Sequence, residues 1–132
     1  MKEFHLTVVT PDGLIFEEPV ESLLVRTDDG DVEFLAGHID YMASLGTGKA
    51  RIKAKGESRL ASVSGGFVTV SGGAVQLVAV TFEFADRIDI ERAKRAAEAA
   101  KETIAKSNDT KAVELARHKL LRALNRISVA ES

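Results

Sequence analysis

The stretch Ile88-Asp89-Ile90-Glu91-Arg92-Ala93 marks the point where the chain changes from one kind of structure to another. Before it, short apolar segments alternate with turn residues, and no convincing helical pattern occurs up to Arg87. After it, residues 88–132 contain neither Pro nor Gly, the two residues least compatible with a helix interior. The sequence therefore predicts an α+β chain, with a β-rich domain over residues 1–84 and a helical domain over residues 85–132.

Two segments of the C-terminal domain carry apolar residues at helical spacing. Asp86 or Asp89 can cap the first helix, and the polar run Ser107-Asn108-Asp109-Thr110 separates it from the second. A connection this short between two amphipathic helices predicts an antiparallel hairpin. Its first stripe is mostly alanine, which allows close approach but buries little area, so we expect a marginally stable hairpin. The two stripes are Ile90, Ala93, Ala97, Ala100 and Ile104, and Val113, Ala116, Leu120, Leu124 and Ile127.

The N-terminal domain shows the two-residue period of half-buried strands, as in Phe4, Leu6 and Val8. Turn residues such as Pro11-Asp12-Gly13 and Ser71-Gly72-Gly73 recur at intervals of about ten residues. This pattern is typical of a small antiparallel sandwich or barrel. The expected strands lie at residues 4–8, 14–16, 20–26, 32–35, 50–54, 60–63, 67–70 and 74–80.

Composition limits the possible classes of protein. The chain is 45% hydrophobic and 29% charged, as in soluble globular proteins, and the absence of Cys excludes disulfides and thiolate metal sites. No apolar run is long enough to span a membrane and no signal-peptide pattern occurs, so we expect a cytoplasmic protein. Residues 1–87 hold 8 basic and 13 acidic side chains, whereas residues 88–132 hold 10 basic and 7 acidic ones. A basic tail on an acidic body favours an acidic partner or a polyanionic ligand for the tail.

The sequence does not support a catalytic site. Gly48-Lys49 resembles the end of a phosphate-binding loop, but Ala43 and Ala50 replace its required Gly and Ser/Thr. The three histidines, His5, His38 and His118, show no metal-ligand spacing. Two alternatives stay open from the residues alone: a small nucleic-acid-binding module that uses the basic helices, and an enzyme with a dispersed site. The first conflicts with the acidic overall charge and with the absence of aromatic residues after Phe84.

Five segments, taken in order, carry a resemblance to a known family over essentially the whole chain. They are Val9-Thr10-Pro11-Asp12-Gly13, Gly37-His38, Ser64-Gly65-Gly66-Phe67, Ile88-Asp89-x-x-Arg92-Ala93 and Arg122-Ala123-x-Asn125-Arg126-x-Ser128-Val129-Ala130. Together they resemble the epsilon subunit of bacterial F-type ATP synthase, of the ATP-binding, Bacillus-like type. The resemblance implies a ten-stranded β-sandwich followed by a two-helix domain, in a non-catalytic subunit.

The resemblance also implies partners and a location. The sandwich would bind the gamma subunit and the c-ring, with Asp31 and His38 in the loop that faces the c-ring. That loop departs from the family pattern at Glu33 and Ala36. The helical domain would restrain ATP hydrolysis, lying compact or extending towards an acidic segment of the beta subunit. The complex would act in ATP synthesis and ion transport as a peripheral assembly on the cytoplasmic side of the cell membrane, without binding nucleic acid or inserting into the membrane.

In ATP-binding members of the family, the Ile/Leu-Asp-x-x-Arg-Ala motif forms part of a nucleotide site on the compact hairpin. The resemblance implies ATP as a regulatory ligand that is not hydrolysed, with no metal. Three guanidinium groups could converge on one triphosphate there. The alternative interpretation makes Asp89 a helix cap and the arginines surface charges. Ala99 stands where some members carry Arg, so a weaker affinity is expected. The implied site consists of Glu83, Ile88, Asp89, Arg92, Ala93, Arg122 and Arg126.

Overall fold

The computed structural model describes residues 2–132, which form eight strands, a 3₁₀ turn and two α-helices. The chain divides into two compact units, of which the first ends at Phe84 and the second runs from Ala85 to Ser132. The strands are β1 (Phe4–Thr10), β2 (Gly13–Val20), β3 (Ser22–Thr27), β4 (Gly30–Leu35), β5 (Tyr41–Ser44), β6 (Gly48–Ala54), β7 (Glu57–Ser71) and β8 (Ala74–Phe84); a 3₁₀ turn (Ala85–Arg87) precedes α1 (Ile90–Lys106) and α2 (Thr110–Ala130).

The first unit is a sandwich made from one continuous sheet that folds over on itself. Its strand order is β2-β1-β8-β7-β6-β3-β4, with β5 paired to β7. Strand β7 changes partners along its length, pairing with β6 over residues 57–63 and with β5 over residues 67–70. Strand β8 pairs with β7 throughout and with β1 over residues 75–78. We call the layer with β3, β4 and β6 the β3 layer, and the layer with β1, β2 and β5 the β1 layer; β7 and β8 contribute to both.

Gly65 and Gly66 form the corner at which β7 passes from the β3 layer to the β1 layer. Their φ angles are +72° and +96°, values that L-residues with a side chain rarely adopt. Val63 and Val68 are both buried although they are five residues apart, an odd interval that places side chains on opposite faces of a regular strand. The two glycines therefore reverse which face of β7 points into the core.

The predicted α+β fold class, a β-sandwich followed by two packed helices, is confirmed. The prediction of separate strands at residues 60–63 and 67–70 is wrong, because pairing with β8 continues on both sides of the two glycines and β7 is unbroken. The same continuity explains why residues 2–132 show eight strands and not ten, since β7 and β8 each supply a segment to both layers. The sheet is not wholly antiparallel, because β1 and β8 run parallel. The sequence also gave no indication of β5 (Tyr41–Ser44).

The second unit is a helical hairpin, as predicted. Helix α1 ends at Lys106 and α2 begins at Thr110, so three residues connect two helices that pack against each other along their length. Asp89 and Asp109 are the N-caps, and the side chain of each accepts a hydrogen bond from a backbone N–H of its helix. The apolar stripe of α1 is confirmed by the burial of its alanines, but Leu124 is wrongly placed in the stripe of α2, since it is 45% exposed. The buried side chains are Ala93, Ala97 and Ala100 on α1 and Ala116, Ala123 and Val129 on α2.

No helix within residues 2–132 combines the length and the apolar character needed to cross a membrane.

Candidate functional site

The N-terminus of α1 carries the first half of the predicted ATP site. The Oδ1 atom of Asp89 accepts a hydrogen bond from the backbone N–H of Arg92 at 3.1 Å, so Asp89 acts as a helix cap. Ile88 is buried beside the 3₁₀ turn. Its backbone N–H donates a hydrogen bond to the carbonyl oxygen of Ala85, in that turn, at 3.4 Å. Ala93 is buried in the helix seam, which directs the neighbouring Arg92 away from the seam into solvent. The cap thus fixes the start of the helix, and the helical period then turns Arg92 away from the seam.

Arg122 and Arg126 carry the second half of the site on α2. They are four residues apart, so they lie on one helix face with about 6 Å between them along the axis. Both side chains are half-buried, and the Nε atom of Arg126 is shielded from solvent. We therefore expect their guanidinium groups to have restricted freedom, which lowers the entropy lost when an anion binds.

The hairpin register brings these two halves to the same end of the second unit. Because three residues join the antiparallel helices, residues equally distant from Asn108 lie at the same level. The buried pairs Ala93–Ala123 and Ala100–Ala116 satisfy this register. Arg92 consequently lies level with Leu124, midway between the two arginines of α2. At 100° per residue, Arg92, Arg122 and Arg126 all fall on the same side of the seam, so the three cations share one side of one end of the hairpin.

Glu83 belongs to the first unit, unlike the other six residues of the predicted site. It is the penultimate residue of β8 and lies opposite Ser62 of β7. The β8 strand places it on the outward side of the β3 layer, between the buried residues Phe82 and Phe84.

The structure separates the two residues predicted to face the c-ring: His38 lies in the loop between β4 and β5, whereas Asp31 lies at the start of β4, at the other end of that strand. Asp31 forms an ion pair with the Nε atom of Arg26 at 2.7 Å, and both side chains are about half exposed. The Nδ1 atom of His38 lies 2.7 Å from the carbonyl oxygen of Ile39, so we infer that Nδ1 carries the proton and donates. The His38 ring also packs against Phe34 and Tyr41, with centroids at 4.9 and 5.8 Å. These contacts fix the loop and leave Ile39 78% exposed at its tip.

A row of apolar side chains crosses the outer face of the β1 layer, and sequence reasoning missed it. The strand pairing places Leu14 opposite Val9, Val9 opposite Val78, and Val78 opposite Phe67. Leu14 is 59% exposed and Phe67 40% exposed, whereas the two valines between them are half-buried. We call these four residues the apolar row. Its members come from four strands, so only the pairing register, which the sequence does not give, brings them together.

The described residues hold no cluster that resembles a metal site. Across residues 2–132, nowhere do three or more His, Asp or Glu side chains come close enough to bind one ion together.

Comparison with known proteins gives consistent matches over the whole chain. Residues 3–85 match the family "ATP synthase, Delta/Epsilon chain, beta-sandwich domain", and residues 86–131 match "ATP synthase, Delta/Epsilon chain, long alpha-helix domain". The chain is 41% identical to the ATP synthase epsilon chain of Bacillus pumilus over 132 residues, with 98% of each chain covered. It is 35% identical to the sodium-ion-specific epsilon chain of Propionigenium modestum, covering 99% of this chain and 96% of that one.

Solved structures show the same fold. A chain of the mitochondrial ATP synthase of Euglena gracilis, solved by cryo-EM with OSCP, F1 and the c-ring, superimposes with a TM-score of 0.85 at 26% identity, covering 98% of this chain and 82% of that chain. A chain of the Tetrahymena thermophila enzyme gives a TM-score of 0.67 at 14% identity, covering 98% and 97%. Because both family matches and full-length relatives agree, the chain belongs to the family of ATP synthase epsilon chains, which are non-catalytic subunits.

Proposed function

We propose that this chain is a subunit of the central rotor of an F-type ATP synthase, in which its sandwich joins the gamma subunit to the c-ring. The observation that carries the proposal is the apolar row, because four neighbouring apolar side chains on an outer sheet face are typical of a protein-binding surface. The row is formed by paired strands, so it presents a preformed surface to a partner. We expect the purified chain to form a one-to-one complex with the gamma subunit in size-exclusion chromatography, and failure to do so would contradict the rotor role.

We place the c-ring contact at the loop between β4 and β5. The Euglena relative was solved together with a c-ring, which supports such a contact for this chain. Leu35, Ile39 and Met42 are exposed around the loop, and His38 lies within it. The contacts of His38 with Phe34 and Tyr41 hold the loop in place, so we expect little loss of backbone entropy when the loop binds.

Replacing Ile39 by Asp should weaken binding to the detergent-solubilised c-ring by about fivefold to a hundredfold, since it puts a charge in the apolar contact (~1–3 kcal/mol). Binding to the gamma subunit should be unchanged. The conservative variant Ile39→Val should bind the c-ring like the wild type. Equal binding by Ile39→Asp and the wild type would place the c-ring contact elsewhere.

We further propose that the compact hairpin binds ATP without hydrolysing it, and that it thereby regulates ATP hydrolysis by the complex. The proposal is supported by the placement of Arg92, Arg122 and Arg126 on one side of one end of the hairpin. The seam of alanines buries little area, so the packing of α1 on α2 is weak without a ligand. An anion that contacts both helices would stabilise the closed form by about 2.7 kcal/mol at a hundred times its dissociation constant. Low ATP would then favour an open hairpin, whose basic helices can reach an acidic partner.

Titration calorimetry with the pure protein should show one ATP-binding site. Arg92→Ala and Arg126→Ala should each weaken binding by roughly tenfold to a hundredfold, because each removes a charge-assisted hydrogen bond of about 1.5–3 kcal/mol. The matched control is Arg117→Ala, since Arg117 is exposed and points half a turn around α2 from Arg126. If the wild type shows neither heat of binding nor thermal stabilisation at millimolar ATP, the proposal of ATP binding is wrong. The rotor role would be unaffected by that result.

A further inference from the structure

The sandwich is open at one end, where β2 and the hairpin of β6 and β7 border a cavity of about 300 Å³. Its apolar lining includes Phe16, Pro19 and Ile52. Phe16 and Ile52 are core residues, so the cavity reaches the hydrophobic interior. A volume at the lower end of the range for ligand pockets fits one small molecule. This site lies wholly in the first unit and is separate from the surfaces proposed above.

Charged residues occupy core-facing positions around this cavity. Glu18 lies between the buried Phe16 and Val20, two residues from each, so it points to the inner side of β2. Arg59 likewise precedes the buried Ala61 by two residues on β7, and Glu57 precedes Arg59 by two. Charged residues at core-facing positions conflict with the apolar pattern of a sandwich, and such conflicts concentrate at functional sites.

The Arg59 side chain is held in a defined orientation. Its guanidinium carbon lies 3.6 Å from the centre of the Phe84 ring, a cation–π contact. Phe84 in turn packs against Phe16 and Phe82, with ring centroids at 5.9 and 5.1 Å. Within residues 2–132, no ion pair forms at Arg59, Glu57 or Glu18. The cavity, which Lys55 also lines, therefore presents both signs of charge, and the Arg59 cation is anchored on an aromatic cluster.

From these observations we propose that the cavity binds a small zwitterion with an apolar side chain, of the class of the aromatic and branched-chain amino acids. The carboxylate would pair with Arg59 and the ammonium group with Glu57, while the side chain contacts Phe16 and Ile52. Glu57 and Arg59 are two residues apart on one strand face, about 7 Å, so a molecule with both charges fits between them. A ligand with one charge would leave one side chain unpaired in the site.

The test compares three probes on the full chain by ¹⁵N NMR titration: L-phenylalanine, 3-phenylpropionate and 2-phenylethylamine. L-phenylalanine should bind saturably, at least tenfold more tightly than either singly charged analogue, with shifts centred on Phe16 and residues 55–59. Arg59→Gln should weaken the binding of L-phenylalanine and of 3-phenylpropionate at least tenfold. Glu57→Gln should weaken the binding of L-phenylalanine and of 2-phenylethylamine. Both substitutions are at exposed positions, so the spectra should stay well dispersed.

Arg51→Gln is the matched control, since Arg51 neighbours Ile52 in β6 but points to the outer face. It should leave all three affinities unchanged. Inward-pointing charges can also protect a sheet edge against aggregation, and β2 is an edge strand. If no probe binds saturably, or if the analogues bind as tightly as L-phenylalanine, the charges serve only that purpose and the proposal is wrong. Loss of gamma or ATP binding would not bear on this outcome.

Discussion

Replacing Gly66 by Ala should destabilise the sandwich by at least about 3 kcal/mol, a large part of the 5–15 kcal/mol typical of a domain. A β-carbon on Gly66 would overlap the carbonyl oxygen of Val78 and lie 2.9 Å from the Cα atom of Ala79. Both neighbours are backbone atoms of the paired strand β8, so they cannot move without disturbing the pairing. The φ of +96°, which an alanine rarely adopts, adds to the energetic cost of the substitution.

The matched control for this variant is Gly73→Ala. Gly73 also has a positive φ, +82°, but no atom lies within 4 Å of an added β-carbon. The Gly73→Ala substitution should lower the free energy of unfolding by only about 1 kcal/mol, because only the strained backbone opposes it. Urea unfolding can be followed by the fluorescence of Tyr41, which reports on the sandwich because the chain has one Tyr and no Trp. Equal midpoints for the two variants would show that Gly66 is not a close-packed corner.

Replacing Val78 by Asp should weaken binding to the gamma subunit at least a hundredfold. Val78 lies inside the apolar row, between Val9 and Phe67, and is half-buried there. A carboxylate at this position would lose its water in the complex without gaining a partner from the row. An uncompensated charge at the centre of an interface commonly costs more than about 3 kcal/mol, which exceeds a hundredfold in affinity.

The measurement for Val78→Asp is binding to immobilised gamma subunit, with circular dichroism to verify the fold. Ser58→Asp provides the control, because Ser58 is exposed on the β3 layer and away from the apolar row. It adds the same charge and should bind like the wild type. If Val78→Asp binds gamma normally while folded, the gamma contact does not use the apolar row.

The helical hairpin could be predicted from the sequence because its signals are local. Asp89 and Asp109 act as caps, and the alanines of α1 follow the helical period. The prediction fails at Leu124, where Leu120, Ala123 and Leu124 compete for the seam and spacing alone does not choose among them. The smaller Ala123 is buried, since it permits close approach opposite Ala93.

The sandwich was harder to predict because its decisive contacts are distant in sequence. Ser64-Gly65-Gly66 has the composition of a turn, and the sequence does not show that β8 continues to pair across it. The apolar row depends on the same long-range register, so its four residues gave no joint signal. The candidate ATP site lies between these cases. Its residue types follow from the resemblance, while their common side of the hairpin follows from the register of two adjacent helices.

The passage of β7 and β8 through both layers has a mechanical consequence. In a sandwich whose layers touch only through side chains, the layers can slide when a load acts on one of them. Here two continuous backbones cross from one layer to the other, so sliding would have to stretch covalent chain and break paired strands. We expect a body built in this way to transmit torque as a single stiff element, which suits the rotor role proposed above.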